Sequence, residues 1–333
     1  MKQIAIIGAG SWGTALAVVA ARAGHAVRLW SRNSDVVSSI NEHRVNSRYL
    51  SSTAIPASVV ATGDLGTALN GASMVLLAVP SHAARDTLTL MSTGLDEEAV
   101  IVSVTKGIEI ETTKRISEIA GEVVGSGHPF VSLSGPSFAK EVVDGHPTAV
   151  VAASKDGLAA RTVQNDLSFE NLRIYTNADV VGTELGGSVK NVMAIAAGMT
   201  AGLGFGANSV AALITRGLAE ITRLARREGA QMETLMGLAG LGDLVLTCTG
   251  SLSRNRFVGE ELGKGRTLEE IAAEMNEVAE GINTARAVKK LADRAGLEMP
   301  ITNEVNAVLY DGKPARDAVA ELMSRPLREE NPI

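Results

Sequence analysis

The sequence predicts an α/β fold in which an N-terminal doubly wound, mainly parallel sheet is followed by an all-helical C-terminal domain. Three observations lead there. The chain of 333 residues is long for one hydrophobic core. Its first half alternates short Val- and Ile-rich runs with amphipathic stretches, the pattern of βαβ units. After about Asp179 the strand-like runs stop and apolar residues recur every three to four positions. Two domains are therefore expected, 1–180 and 181–333.

Strands are expected at 4–7, 26–30, 58–61, 74–79, 100–105, 130–134, 148–153 and 172–175. Between them helices are expected at 14–23, briefly from Asp64, and at 83–91, 112–123 and 156–166. In the second half, Val210, Leu213, Ile214, Gly217, Leu218, Ile221, Leu224 and Ala225 form one apolar stripe, with Arg216, Glu220, Arg223 and Arg227 facing elsewhere. Thr267 and Glu270 have capping-box spacing. Asn283 is expected to cap a helix running to Gly296, with Pro300 just beyond its stop. The tail after Arg325 is expected to fray.

Composition narrows the function classes. With 45% hydrophobic and 20% charged residues the chain reads as an ordinary soluble globular protein, and only 3% is aromatic, too little for a base-stacking surface. A formal charge of -6 gives no global basic field, so no nucleic-acid partner is expected and any anionic ligand must meet a local cluster of donors. One cysteine, Cys248, excludes an internal disulfide and suggests a reducing, cytoplasmic setting. Residues 4–21 carry no charge, but Gly8, Gly10 and Gly13 would break a spanning helix, so neither a membrane span nor a targeting segment is expected. The five histidines show no metal-ligand spacing, and no metal is expected.

The strongest local signal is the strand 4–7 followed by Gly8-Ala9-Gly10-Ser11-Trp12-Gly13 and an apolar helix. This order gathers backbone N–H groups at a helix N-terminus and suits the pyrophosphate of a dinucleotide, which makes the first domain Rossmann-type. NAD-specific sites place a carboxylate after the second strand to bind the ribose hydroxyls. Here the stretch reads Leu29-Trp30-Ser31-Arg32-Asn33, and Arg32 instead offers a fork to a ribose phosphate. NADPH is favoured and NADH remains admissible; a solvated surface arginine is the competing reading.

Val79-Pro80 and Thr105-Lys106-Gly107 follow expected parallel strands at the carboxyl edge, where such sheets bind ligands. By position alone Lys106 is either part of that site or an exposed charge. The turn Gly135-Pro136-Ser137-Phe138-Ala139-Lys140-Glu141 would present Ser137 to the same edge, or is merely a tight connection. Lys190 interrupts the apolar helix pattern 185–197, where a charge needs a partner or a task. The alternative is a rim lysine with its head in water. Gly186 and Gly187 would bare the backbone beside it for a substrate. Ser253-Arg254-Asn255-Arg256 could form a phosphate socket at a helix start, or a solvated basic one.

Taken in order, Gly8-Ala9-Gly10-Ser11-Trp12-Gly13-Thr14-Ala15-Leu16, Val79-Pro80-Ser81, Thr105-Lys106-Gly107, Ser134-Gly135-Pro136-Ser137-Phe138-Ala139-Lys140-Glu141, Leu185-Gly186-Gly187-Ser188-Val189-Lys190-Asn191-Val192, Gly240-Leu241-Gly242-Asp243-Leu244 and Ser253-Arg254-Asn255-Arg256 closely resemble the bacterial NAD(P)-dependent glycerol-3-phosphate dehydrogenases. The resemblance implies interconversion of dihydroxyacetone phosphate and sn-glycerol 3-phosphate, usually as reduction for phospholipid synthesis, by an enzyme that is commonly a homodimer. By matching position it implies Lys190 as acid/base and Lys106, Gly135, Ser137, Asp243, Ser253, Arg254 and Asn255 at the substrate. It further implies cofactor contacts at Gly8, Gly10, Ser11, Trp12, Gly13, Arg32, Tyr49, Lys106, Ala139, Arg254, Val278 and Glu280. Two other readings are a related two-domain reductase, such as a ketopantoate reductase, and a non-catalytic NADPH-binding sensor.

Lysine chemistry agrees with this. Hydride reaching a ketone carbon leaves an alkoxide that a nearby ammonium can protonate. Lys106 would lower the pKa of Lys190 and Asp243 would raise it, and the sequence does not give the balance.

Overall fold

The computed structural model describes residues 1–275, 277–327, 329 and 330. Eight strands form one sheet: β1 (Gln3–Ile7), β2 (Ala26–Trp30), β3 (Val59–Thr62), β4 (Met74–Leu77), β5 (Val100–Ser103), β6 (Phe130–Ser134), β7 (Thr148–Ala153) and β8 (Leu172–Asn177). Their order is β3-β2-β1-β4-β5-β6-β7-β8, and every neighbouring pair is parallel except β6 with β7. The chain reverses its direction of growth between β3 and β4, so the crevice at the ends of β1 and β4 lies at the topological switch point, where open sheets of this kind take ligands. Helices cover both faces and bury the central strands, whereas the edge strands β3 and β8 expose alternate residues, Val60 and Tyr175 among them.

Several boundaries differ from the sequence expectation for local reasons. β4 and β5 stop two residues early: Ala78 N and Val104 N still donate to the Ile7 and Leu77 carbonyls, but the pairing ends there and Thr105 Oγ1 donates to the Val79 carbonyl at 2.8 Å. The helix expected from 112 starts at Ile116, since residues 109–114 close a turn in which Thr113 adopts a φ of 59°. A helix at Ser34–His43 was not expected; its apolar pattern is sparse, but the Asn33 side chain caps it by accepting from Asp35 N and Val36 N.

Beyond β8 the chain is helical, and the Val180–Gly202 helix forms the axis of a second aliphatic core. Asp179 caps its start by accepting from Gly182 N. Glu184 on this helix accepts from Arg115 (2.8 Å), from Ser117 N (2.8 Å) and from Ser117 Oγ (2.5 Å), fastening the helical layer to the start of Ile116–Val123. In the Ala207–Arg227 helix, Gly217, Ile221, Leu224 and Ala225 are buried, whereas Val210, Leu213, Ile214 and Leu218 are half-buried. Glu220, which the sequence places off the apolar stripe, does not face solvent. It is buried and accepts from Ile301 N, Thr302 N and Thr302 Oγ1, capping the Pro300–Tyr310 helix, whose own N-cap supplies no side chain. The Thr267–Glu270 capping box forms. Gly296 ends its helix at φ 64°, but that helix begins at Glu280, so Asn283 lies within it and is not its cap. Part of the tail expected to fray, Arg328 and residues 331–333, lies outside the described residues.

The Arg254–Gly263 helix packs against Val180–Gly202 almost backbone to backbone, through glycines four apart on each. A Cβ at Gly259 would sit 1.9 Å from the Ile195 carbonyl oxygen, and one at Gly198 would sit 2.0 Å from that of Arg256. Gly259→Ala is therefore expected to destabilise the protein by roughly 3 kcal/mol, because neither backbone can yield without parting the helices. Urea unfolding checks this, and a loss below about 1 kcal/mol would show that the contact is soft.

Candidate active site

The glycine turn is built as the motif requires. Gly8 holds φ 118°, and a Cβ there would lie 2.4 Å from the Ala78 carbonyl oxygen; one at Gly13 would lie 1.9 Å from that of Gly8. Both positions exclude a side chain. At Gly10 nothing lies within 4 Å of where a Cβ would be, so the turn is open where a ligand would approach. The Ser11–Arg22 helix begins at once, with no side-chain cap at Gly10, and its first N–H groups face that opening. A dinucleotide pyrophosphate fits this arrangement by shape and by dipole.

The turn forms one end of a cleft of about 530 Å³ between the sheet edge and the helical layer. Of the expected site residues, Gly8, Gly10, Ser11, Trp12, Gly13, Arg32, Tyr49, Lys106, Ser137, Lys190, Ser253, Arg254, Asn255, Val278 and Glu280 line it. Gly135, Ala139 and Asp243 do not reach its wall, but two of these hold groups that do.

Asp243 is 1% exposed and bridges the two lysines. Lys190 Nζ donates to Asp243 Oδ1 at 2.5 Å and to Thr247 Oγ1 at 2.7 Å. Lys106 Nζ donates to Asp243 Oδ2 at 2.6 Å and to the Gly135 carbonyl at 2.9 Å. Lys190 is 6% exposed, which excludes the rim reading. A π-helical turn at Leu238–Gly242 swings Asp243 under the lysines, and it depends on Gly240, where a Cβ would meet the Leu235 carbonyl oxygen at 2.1 Å.

Burial is the largest influence on the Lys190 ammonium; opposed by the Asp243 carboxylate and reinforced by Lys106, it lowers the pKa to about 8. The balance left open by the sequence is thus decided by desolvation. Gly186 and Gly187 serve packing and not substrate approach: their missing Cβ atoms would strike the Ala239 carbonyl oxygen at 2.6 Å and Ser134 Oγ at 2.5 Å. Ala139 opens a short helix and packs on the sheet's core.

At the helical side of the cleft, Ser253 caps Arg254–Gly263 by accepting from Arg256 N at 3.2 Å. Asn255 donates to Asn191 Oδ1 at 3.0 Å and accepts from Gly281 N at 2.9 Å, which fixes the segment against the Lys190 helix. Arg254 extends into the cleft, paired with Glu277 at 2.8 Å and donating to the Val278 carbonyl at 3.0 Å. Glu277 also accepts from Ser11 Oγ. Glu280 accepts from Ser81 N at 3.0 Å and Ser81 Oγ at 2.5 Å, joining the loop after β4 to the helical layer.

Sequence reasoning missed Thr247, Asn191, Glu277 and Arg48, all of which line the cleft. Thr247 had a signal, since it stands one helical turn after Asp243. Glu277 had none, because nothing local brings it to Ser11.

A dinucleotide turn at the switch point, facing a buried lysine braced by an aspartate from a second, helical layer, defines a two-domain nicotinamide dinucleotide-dependent dehydrogenase. Family models for the N-terminus and C-terminus of NAD-dependent glycerol-3-phosphate dehydrogenase match residues 3–160 and 179–320, and the chain belongs to that family. It is 55% identical over 334 aligned positions to glycerol-3-phosphate dehydrogenase [NAD(P)+] of Koribacter versatilis, covering 99% of each chain. Among solved structures it superposes on glycerol-3-phosphate dehydrogenase from Coxiella burnetii with TM-score 0.94 and 42% identity, covering 97% of this chain and 99% of that one. A ketopantoate reductase from Ralstonia eutropha, at 16% identity, TM-score 0.60 and coverage of 96% and 99%, shares the fold alone.

Proposed function

We propose that this chain interconverts dihydroxyacetone phosphate and sn-glycerol 3-phosphate with NADPH or NADH, with Lys190 as acid/base, and that it supplies glycerol 3-phosphate for phospholipid synthesis as a cytoplasmic homodimer. The observation that carries the mechanism is Lys190, buried at the cleft and braced by Asp243, with its pKa lowered to about 8. The nicotinamide cofactor, when bound, supplies and accepts the hydride.

The division of labour follows the two layers. Residues 1–180 hold the dinucleotide: the amides at Ser11 and Trp12 face its pyrophosphate, and Arg32 and Tyr49 stand at its ribose side. Residues 181–333 supply Lys190, Asp243 and the phosphate grip of Ser253, Arg254 and Asn255. Lys106, Gly135 and Ser137 close the substrate site from the sheet edge, and Ala139, Val278 and Glu280 border the cofactor. In reduction, the Lys190 ammonium gives a proton to the substrate oxygen as the carbonyl becomes an alcohol; in oxidation, neutral Lys190 Nζ takes it back. A group titrating near the working pH serves both directions. Asp243 and Thr247 hold Nζ in place, and Lys106 adds positive charge beside the oxygen.

The direct test follows NADPH absorbance with dihydroxyacetone phosphate, then repeats the assay with NADH. No oxidation of either cofactor would favour a binding protein over an enzyme. Against pH, kcat/KM for reduction is expected to fall, and that for oxidation to rise, with a common midpoint near 8, because one needs Lys190 charged and the other neutral. Parallel profiles in the two directions would remove Lys190 from the proton transfer.

A further inference from the structure

Among the described residues five cationic side chains line the cleft, and three of them are matched within the fold: Lys106 and Lys190 by Asp243, and Arg254 by Glu277. The other two, Arg32 and Arg48, have no carboxylate partner among the described residues. The remaining acid of the wall, Glu280, is held by Ser81. The cleft therefore keeps two unmatched guanidinium groups on its sheet side, beyond the amides that meet a pyrophosphate.

Both are carried by segments fixed to the cofactor turn. Arg32 follows β2, where ribose recognition falls in this fold. Its neighbour Asn33 also lines the cleft but has its side-chain oxygen committed to capping Ser34–His43, which leaves Arg32 as the charged group of this segment. Arg48 lies on a loop pinned to the turn itself: Asn46 Nδ2 donates to the Ala9 carbonyl at 2.9 Å and to Thr14 Oγ1 at 2.8 Å, and Ser11 Oγ donates to the Tyr49 carbonyl at 2.9 Å. The Arg48 guanidinium lies 5.4 Å from the centre of the Tyr49 ring, within cation–π range.

We propose that Arg48 is the second arm of a two-arginine clamp, with Arg32, for the 2′-phosphate on the adenosine ribose of NADPH. This rests on the NADPH reading above and assigns a residue to it. A phosphomonoester near neutral pH carries about −1.5 to −2 charge and three acceptor oxygens, which two guanidinium forks complement in charge and geometry. NADH offers no such group, so the clamp acts on selectivity.

The test measures binding of 2′,5′-ADP and 5′-ADP by calorimetry, and the NADPH-to-NADH ratio of kcat/KM, for the full chain and its Arg48→Ala, Arg48→Lys and Arg32→Ala variants. Arg48→Ala is expected to lower both the 2′,5′-ADP preference and the kinetic ratio about tenfold, through KM, with Arg48→Lys recovering part of it. An unchanged preference in Arg48→Ala, or equal loss for both nucleotides, overturns the clamp. If Arg32→Ala abolishes the preference while Arg48→Ala keeps it, the clamp fails and the NADPH reading stands. If the unaltered protein shows no preference for 2′,5′-ADP, the NADPH reading fails as well. Thermal unfolding of Arg48→Ala excludes a folding defect, since Asn46 and not Arg48 anchors the loop.

Discussion

Lys190→Met is expected to lower kcat/KM for dihydroxyacetone phosphate reduction by roughly 10²- to 10⁴-fold and to abolish the pH midpoint near 8. Methionine fills the same space and leaves Asp243 paired with Lys106, so the fold should persist. Stability carries a second, independent sign. Between pH 8 and 10.5 the unfolded chain keeps the Lys190 proton that the folded chain has lost, so the contribution of Lys190 to the stability of the unaltered protein rises with pH across that window. Relative to it, Lys190→Met should be most stable near neutral pH and lose that advantage, up to about 3 kcal/mol, as the pH approaches 10.5. Chemical denaturation of both proteins at pH 7 and pH 10 reads this directly. Near-normal turnover by Lys190→Met would end its role as acid/base, and a pH-independent stability difference would end the argument from desolvation.

Asp243→Ala is expected to be damaging in both stability and turnover. It leaves two ammonium groups facing one another with no counter-charge, and breaking a buried pair in this way costs about 3 to 5 kcal/mol. It also removes the carboxylate that raises the Lys190 pKa, so the midpoint should move below 8. Discharging Lys190 relieves the repulsion, so the deficit should shrink as the pH rises from that lowered midpoint to about 8 and level off above it. Adding Lys190→Met to Asp243→Ala should recover stability but not turnover, giving a non-additive pair. If Asp243→Ala unfolds like the unaltered protein at pH 7 and turns over within twofold of it, the aspartate is not the brace described above.

Much of the fold was legible because its signals are local. The glycine turn, the alternation of strands and helices and the loss of strand pattern after Asp179 each depend on residues within a few positions of one another, and the sheet followed them. The misjudged elements are those in which a distant group changed the local balance. Glu220 reads as a solvent-facing position on its helix, yet the free N–H groups of Ile301 and Thr302 draw it into the interior. Gly186 and Gly187 read as bare backbone for a ligand, yet β6 and the π-helical turn occupy that space. Within the cleft, Thr247 could have been inferred from Asp243 one turn earlier, whereas Glu277 meets Ser11 across 266 positions of sequence.

The sequence by itself determined that the chain has a dinucleotide turn, a mainly parallel sheet, a helical second half and a charged residue inside an apolar helix, since spacing and side-chain type suffice for each. Only the tertiary structure decided what that charge is. Lys190 is surrounded by the Leu238–Gly242 turn and by the helices at Asp243 and Arg254, and their packing removes water from its ammonium. Desolvation depends on every atom that excludes solvent and has no sequence period, so the lowered pKa of Lys190 emerges only when those segments meet.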